Sequence, residues 1–353
     1  MDSDARARDV RRRARRHRVV RGLLLVAIMA TVVVALLAGW QSARAPGRTV
    51  GPLTPSRSPV NGSPLMLTRT LVADSLGLER LLSVAVAPNG NLYVTDASQT
   101  VSEVTPRGRV IRSWGGPGTA PGRFRMITGA VAVGHDGRVY VVDTGNFRVQ
   151  VFSPAGAFLD SWGNFGGGPG HFLWPADVAV DGRGGVYVAD DRAATITRLS
   201  GSGRQDWRSG DPRTNPEDLV GYAHFTQVDV DGSLVLANED RGLVVSLDAQ
   251  GHEVDAFGSS SSGRQGSRTP GAASLFPEGA CDASVDSRGW VYVTSCGAPT
   301  DPDHTTRVFD TAGNLTGVWR DNPLSRSPCF GPDGRTAWAV GSDGSLLRLA
   351  ILD

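Results

Sequence analysis

Two hydrophobic patterns divide this chain. The first is a single run, Gly22 to Trp40 (GLLLVAIMATVVVALLAGW), with no charged residue. At about 1.5 Å per residue such a helix spans the roughly 30 Å hydrocarbon core of a bilayer. The second pattern fills the chain from Leu65 onward. Short apolar runs with period-two alternation are separated by turns rich in Gly, Asp and Pro, which predicts strands. Between the two patterns, residues 41–64 are rich in Pro, Ser and Gly and read as a tether.

The strand pattern repeats. A glycine turn followed by a short β run recurs with central positions 93, 140, 187, 235, 292 and 338. Periods of about 47 residues indicate a propeller or solenoid. One longer interval, between 235 and 292, holds an insertion beginning Gly258-Ser259-Ser260-Ser261-Ser262-Gly263 and continuing to about Ala273. The second unit shows four strands: Ala130–Val133, Val139–Val142, Arg148–Phe152 and Phe158–Trp162. Asp136-Gly137 is expected to form a tight hairpin turn, because both residue types tolerate positive φ. Four strands per repeat make a propeller blade. The predicted fold is therefore all-β, a six-bladed propeller over 65–353, preceded by one transmembrane helix.

The sixth unit stops after three strands, whereas Leu67–Val72 precedes the first unit without a partner. That strand is expected to complete the last blade and close the ring, removing exposed edges. Large rings end the fourth strands at Trp114, Trp162, Trp207, Phe257 and Trp319, and are expected to wedge between neighbouring blades. Phe124, Phe172 and Phe276 read the same way.

Charge sharpens the topology. Residues 1–21 carry nine Arg and three Asp, and seven of those Arg fall between Arg11 and Arg21. Positive charge resists translocation, so this tail is expected in the cytoplasm, with 22–40 spanning the plasma membrane and 65–353 outside. A cleaved signal peptide ending near Ala43-Arg44-Ala45 is the competing reading; it too places the propeller outside the cytoplasm. Residues 65–353 carry 24 Arg against 32 Asp and Glu. This acidic balance argues against a nucleic-acid partner. The chain has no lysine, which excludes lysine-based nucleophilic chemistry.

The units resemble NHL repeats. The strongest match is Val139-Tyr140-Val141-Val142-Asp143-Thr144-Gly145-Asn146-Phe147-Arg148-Val149-Gln150-Val151-Phe152, continued by Trp162-Gly163 and Phe172-Leu173-Trp174-Pro175. Asp96 and Asp190 keep the strand-ending Asp, and Asn238 stands in its place in unit four. The resemblance implies a propeller, and its members include tethered extracytoplasmic sensor or binding domains. It also includes metal-dependent lyases that hold zinc with histidines at the beginnings of inner strands. Here the matching places hold Gly129, Ala176 and Gly279, which leaves His224 alone; a catalytic zinc needs about three protein ligands. A lactonase-type hydrolase would use acidic and amide groups such as Asp177, Asn238 and Glu278, but the surrounding motifs do not match.

Ligands of propellers sit where loops from all blades converge on one face. Asp96, Asp143, Asp190 and Asn238 at second-strand ends, Asp177, His224 and Glu278 at first-strand beginnings, and Arg148 nearby are the candidate ligand-binding residues. The strand-ending Asp set can instead cap backbone N–H groups of the following turn, or ring a calcium or other divalent ion. No cofactor is otherwise expected. The remaining histidines, His135, His171, His252 and His304, read as solvated loop residues. Cys281 and Cys296 flank one hairpin and are a candidate disulfide on the oxidising side of a membrane. The expected function is a membrane-anchored binding module presenting one propeller face to a protein, peptide or glycan. The alternative is a metal-dependent lyase or lactonase-type hydrolase at the channel mouth.

Overall fold

The computed structural model describes residues 65–353 other than 72, 128–129, 211–222, 225–232, 239–241, 259–275, 277–278, 296–303, 321 and 353. Of 223, 224 and 258 it describes the backbone. The expected tail, span and linker (1–21, 22–40, 41–64) lie outside the described residues, as does most of the insertion after Gly258. Among the described residues no helix is long and apolar enough to cross a membrane.

The described strands form six four-stranded antiparallel sheets. Blade 1 runs Leu81–Val86, Leu92–Asp96, Thr100–Val104, Val110–Gly115 from inner to outer strand. Blade 2 runs Val131–Val133, Val139–Asp143, Arg148–Phe152, Phe158–Trp162, and blade 3 Pro175–Val180, Val186–Asp190, Thr195–Leu199, Gln205–Ser209. Blade 4 is Ala223–His224, Leu234–Asn238, Leu243–Leu247, Glu253–Gly258; blade 5 is Ala280–Val285, Val291–Ser295, Thr305–Phe309, Leu315–Arg320. Blade 6 is Cys329–Phe330, Thr336–Val340, Leu346–Ile351, with Leu65–Leu71 as its outer strand.

That last pairing closes the ring as expected. Leu65 lies opposite Ile351 and Leu71 opposite Leu346. Both leucines are buried, and each contributes about 1.5–3 kcal/mol of apolar burial. On its other side blade 6 packs Trp338, Val340 and Leu346 against Leu81, Leu92 and Val94 of blade 1.

The blades adhere through the aromatic wedges. Trp114 meets Tyr93 of its own blade at 6.0 Å and Phe152 of blade 2 at 5.8 Å between ring centroids. Phe257 of blade 4 meets Phe309 of blade 5 at 4.8 Å. The wedges also explain particular glycines. A Cβ at Gly156, Gly203 or Gly251 would lie 2.7, 2.3 and 2.8 Å from Trp114, Trp162 and Trp207. Each glycine sits in the next blade's last turn with φ near +80°, so side-chain bulk is excluded twice over.

One local expectation is corrected and another holds. The hairpin at Asp136-Gly137 is a four-residue turn closed by Gly137 N–H donating to Gly134 O, and only Gly137 takes positive φ. Asp136 contributes through its carboxylate, which accepts from Arg138 N. In blade 6 the register pairs Ala337 with Phe330 and Trp338 with Cys329. Tyr93 pairs with Ala85 and Val94 with Val84. Cys329, like Ala85, lies two residues before the residue that opens the hairpin turn, Gly331 and Ala87 respectively. Trp338 therefore occupies the position that Tyr93, Tyr140, Tyr187 and Tyr292 hold elsewhere, and it faces blade 1 as Tyr93 faces blade 2.

Candidate functional site

Antiparallel blades place inner-strand beginnings and second-strand ends on the same face of the ring. Five of the six second strands end there on a polar residue, Asp96, Asp143, Asp190, Asn238 or Ser295, and all five are buried; blade 6 ends on Val340. Asp143 is fully buried. Its Oδ1 accepts from Arg125 N at 2.8 Å, and its Oδ2 from Asn146 Nδ2, Arg148 Nε and Gln150 Nε2 at 2.8, 2.8 and 3.0 Å. Arg148 in turn donates to the carbonyls of Ala120 and Arg123. The Asp-x-x-Asn-x-Arg-x-Gln spacing of this blade thus ties the strand end to the loop that leads into its inner strand.

Asp190 does the same job with backbone donors alone, accepting from Leu173 N, Trp174 N and Ala193 N at 2.6–3.0 Å. Asp96 accepts from Ser98 N, Ser98 Oγ and Thr100 N. Asn238 is buried at the matching position of blade 4. In blade 5 Ser295 stands there, its Oγ accepting from Thr305 N and donating to Thr305 O. The candidate residues Asp96, Asp143 and Asp190 therefore sit at equivalent places, with Arg148 opposite Asp143, but they do not converge; each serves its own blade.

The groups that do converge come from inner-strand beginnings. Asp177 of blade 3 pairs with Arg326, which precedes the inner strand of blade 6, at 3.0 Å. Blades 3 and 6 are opposite in a six-membered ring, so this ion pair crosses the central channel. Asp177 is buried, and the Arg326 side chain is 25% exposed. Asp282 of blade 5 joins them: its Oδ2 accepts from Ser327 N at 3.1 Å, and Ser327 Oγ donates to Asp282 O at 2.8 Å. Burial works against the Arg326 charge, but Asp177, Asp282 and Asp191 outweigh it and hold its pKa above the ordinary value. Cys329 lies alongside, a buried free thiol donating to Val84 O. Burial first, and then Asp282 and Asp177, push its pKa up, so it stays protonated and inert.

Asp282 and Arg326 were not among the sequence candidates. Asp282 had a signal, because Asp177-Val178-Ala179-Val180 and Asp282-Ala283-Ser284-Val285 share one pattern and one register, Asp177 opposite Ala189 and Asp282 opposite Thr294. Arg326 had none; it lies in an unpatterned Ser-Arg-Ser-Pro segment. The backbone register also moves His224. It pairs with Ala237, so its counterpart is Asp177 rather than Ala176. Glu278 lies outside the described residues. His304, expected in solvent, is buried with its ring nitrogen Nε2 2.8 Å from Leu324 O. Cys281 is disulfide-bonded, and Cys296 lies outside the described residues. Among the described residues no three His, Cys, Asp or Glu side chains are grouped to hold a metal ion.

The NHL repeat family matches residues 124–152, the blade in which the Asp143 network is complete. The chain is a six-bladed β-propeller with one blade that matches the NHL repeat. No curated protein sequence matches the chain. Solved structures similar to this propeller include a catalytically inactive virginiamycin B lyase from Staphylococcus aureus with quinupristin. It is 13% identical over 77% of this chain and 80% of that one, with a TM-score of 0.52. A streptogramin B lyase is 12% identical over 81% of this chain and 98% of that one, with a TM-score of 0.53. At such identities the likeness is one of fold, and NHL-type propellers of one shape host many functions.

Proposed function

We propose that this chain is a single-pass membrane protein whose NHL-type propeller, held outside the cytoplasm, binds a protein, peptide or glycan on its channel-mouth face. The Gly22–Trp40 segment is the anchor and the Arg-rich residues before it the topology signal. The observation that carries the binding reading is the convergence of Asp177, Asp282 and Arg326 across the channel. A buried ion pair is a poor device for stability, since desolvation consumes most of its attraction. Charged groups from several blades gathered around one arginine whose pKa they raise instead mark a functional site. Three blades supply these groups, so the site is rigid before any ligand arrives, which lowers the entropic cost of binding.

The test uses the full chain in detergent, applied to arrays of peptides and glycans beside the Asp177→Asn/Arg326→Gln double variant, which keeps shape and removes charge. Array features bound by the native chain and lost from the variant support the reading; identical array profiles would sink it. Topology is checked separately by protease treatment of intact spheroplasts. Digestion of the propeller fits the assignment, and its full protection refutes it.

A further inference from the structure

A second feature of the same face lies away from the channel, over blades 2 and 3. Loops 115–127 and 163–174 share one design, in which the chain folds back on itself. Short parallel bridges join Pro117 to Phe124 and Phe165 to Phe172. Both phenylalanines at the base, Phe124 and Phe172, are fully buried, so the loops are fixed from below. Their outer residues are not buried: Phe165 is 64% and Met126 43% exposed.

These apolar groups are linked into a strip. Phe165 meets Phe147 edge-on at 4.9 Å. Phe147 belongs to the 143–148 turn, which is tied to the first loop by Gly145 N donating to Arg125 O at 2.7 Å. The second loop ends on half-buried Trp174, where Arg192 stacks at 5.3 Å. Phe147 and Phe165 are thus in contact across two blades, with Met126 and Trp174 at the ends of the two loops. Apolar residues clustered on a surface mark an interaction site, and aromatic and Arg side chains dominate such sites energetically.

Charge identifies the partner. The propeller is acidic overall, with 24 Arg against 32 Asp and Glu over 65–353. The strip inverts this balance. Segments 115–127, 144–148 and 163–174 contain Arg123, Arg125 and Arg148 and no acidic residue. Arg148 is neutralised by Asp143. Arg123, Arg125 and Arg192 are exposed, and none has an ion-pair partner among the described residues. An apolar strip bordered by unpaired guanidinium groups complements a segment that alternates carboxylates with apolar anchors.

We propose that this strip is a docking surface for an acidic peptide segment of a partner protein, with Phe165 and Met126 receiving apolar side chains and Arg125 and Arg192 pairing its carboxylates. The inference rests on the binding-module reading and specifies its partner.

The experiment uses the full chain in nanodiscs of neutral lipid and two fluorescein-labelled peptides, one alternating Glu with Phe and one alternating Lys with Phe. Fluorescence anisotropy is compared for the native chain, Arg125→Glu/Arg192→Glu and Phe165→Ser. All three substituted side chains are exposed or at a loop tip, so melting curves should coincide. The Glu–Phe peptide should bind, the Lys–Phe peptide should not, and each variant should weaken binding about tenfold or more. Equal binding of the two peptides, no binding of either, or Glu–Phe binding indifferent to the variants overturns the proposal. So does a surface that ignores peptides yet binds vesicles of equal phosphatidylglycerol and phosphatidylcholine through the same residues, which would make it a membrane face. If array ligands that depend on Arg326 survive while Glu–Phe binding fails, this surface falls and the binding-module reading stands.

Discussion

Replacing Asp143 separates a structural clamp from a ligand contact. The carboxylate is fully buried and accepts four hydrogen bonds, one from a backbone amide and three from side chains. Asp143→Ala strands Arg125 N, takes one of two acceptors from each of Asn146 Nδ2 and Gln150 Nε2, which keep Gly118 O and Arg123 O, and leaves the Arg148 guanidinium without its counter-charge. Breaking one partner of a buried pair costs about 3–5 kcal/mol. Arg148 keeps two carbonyl acceptors and its side chain is 13% exposed, so water offsets part of that. The orphaned donors add about 1 kcal/mol or more each where water cannot reach. The expected loss is about 3–5 kcal/mol. Asp143→Asn keeps the shape and one acceptor oxygen, and should cost about 2–3 kcal/mol. Guanidinium unfolding of the full chain in detergent, followed by tryptophan fluorescence, measures both. The order Ala worse than Asn worse than native is the signature of a clamp. An Asp143→Ala chain within about 0.5 kcal/mol of native stability would refute the argument and return this carboxylate to the list of ligand contacts.

Three further outcomes follow from the same geometry. Gly203→Ala forces a Cβ to 2.3 Å from Trp162 at φ +79°, whereas Gly184→Ala meets nothing within 4 Å at φ +82°. Thermal denaturation should show Gly203→Ala worse by about 1–3 kcal/mol, the overpacking component alone; equal costs would mean that Trp162 yields freely. Deleting 65–71 exposes the edge of Leu346–Ile351 and removes two buried leucines, so size-exclusion chromatography should show aggregates rather than a monodisperse species. Burial above all, helped by Asp181 against the opposing pull of Arg198, pushes the Tyr187 hydroxyl up to about 12. Its neutral form is the one the fold stabilises. That contribution is complete below pH 10 and is lost as pH rises toward 12. A phenolate absorbance titration should therefore lose its step near pH 12 in Tyr187→Phe and keep it in Tyr93→Phe, while the Tyr292 phenol, pushed up further by deeper burial, ionises later still.

The architecture was legible because a propeller repeats one physical problem six times. Every blade must turn at a glycine, alternate apolar with polar positions and present a large ring to its neighbour. Gly137, Tyr140 and Trp162 announce those needs without any long-range information. Ring closure was legible for the same reason: a fourth strand was missing at one end and spare at the other. The errors were local. Asp136 was expected to share the positive φ of Gly137, and His224 was matched to Ala176 instead of Asp177. A one-residue slip changes which face of the strand a side chain occupies, and the pairing that sets the register of Ala223–His224 leaves no mark in the local pattern.

The channel was less legible, since its contacts join residues that share no sequence neighbourhood. Asp177 and Arg326 are 149 positions apart, and only ring closure brings blade 3 opposite blade 6. Repetition shows what every blade does, such as the capping by Asp96, Asp143 and Asp190, and so draws attention to the residues that hold the fold together. The cluster across the channel has the opposite signature. It sits where one blade departs from the others: Asp at 177 and 282 where blade 1 has Ser83 and blade 2 Ala130, and an arginine in the loop before blade 6. In a repeat protein, then, sites are sought among the positions that break the repeat once the register is known. Asp177, Asp282 and Arg326 satisfy that criterion.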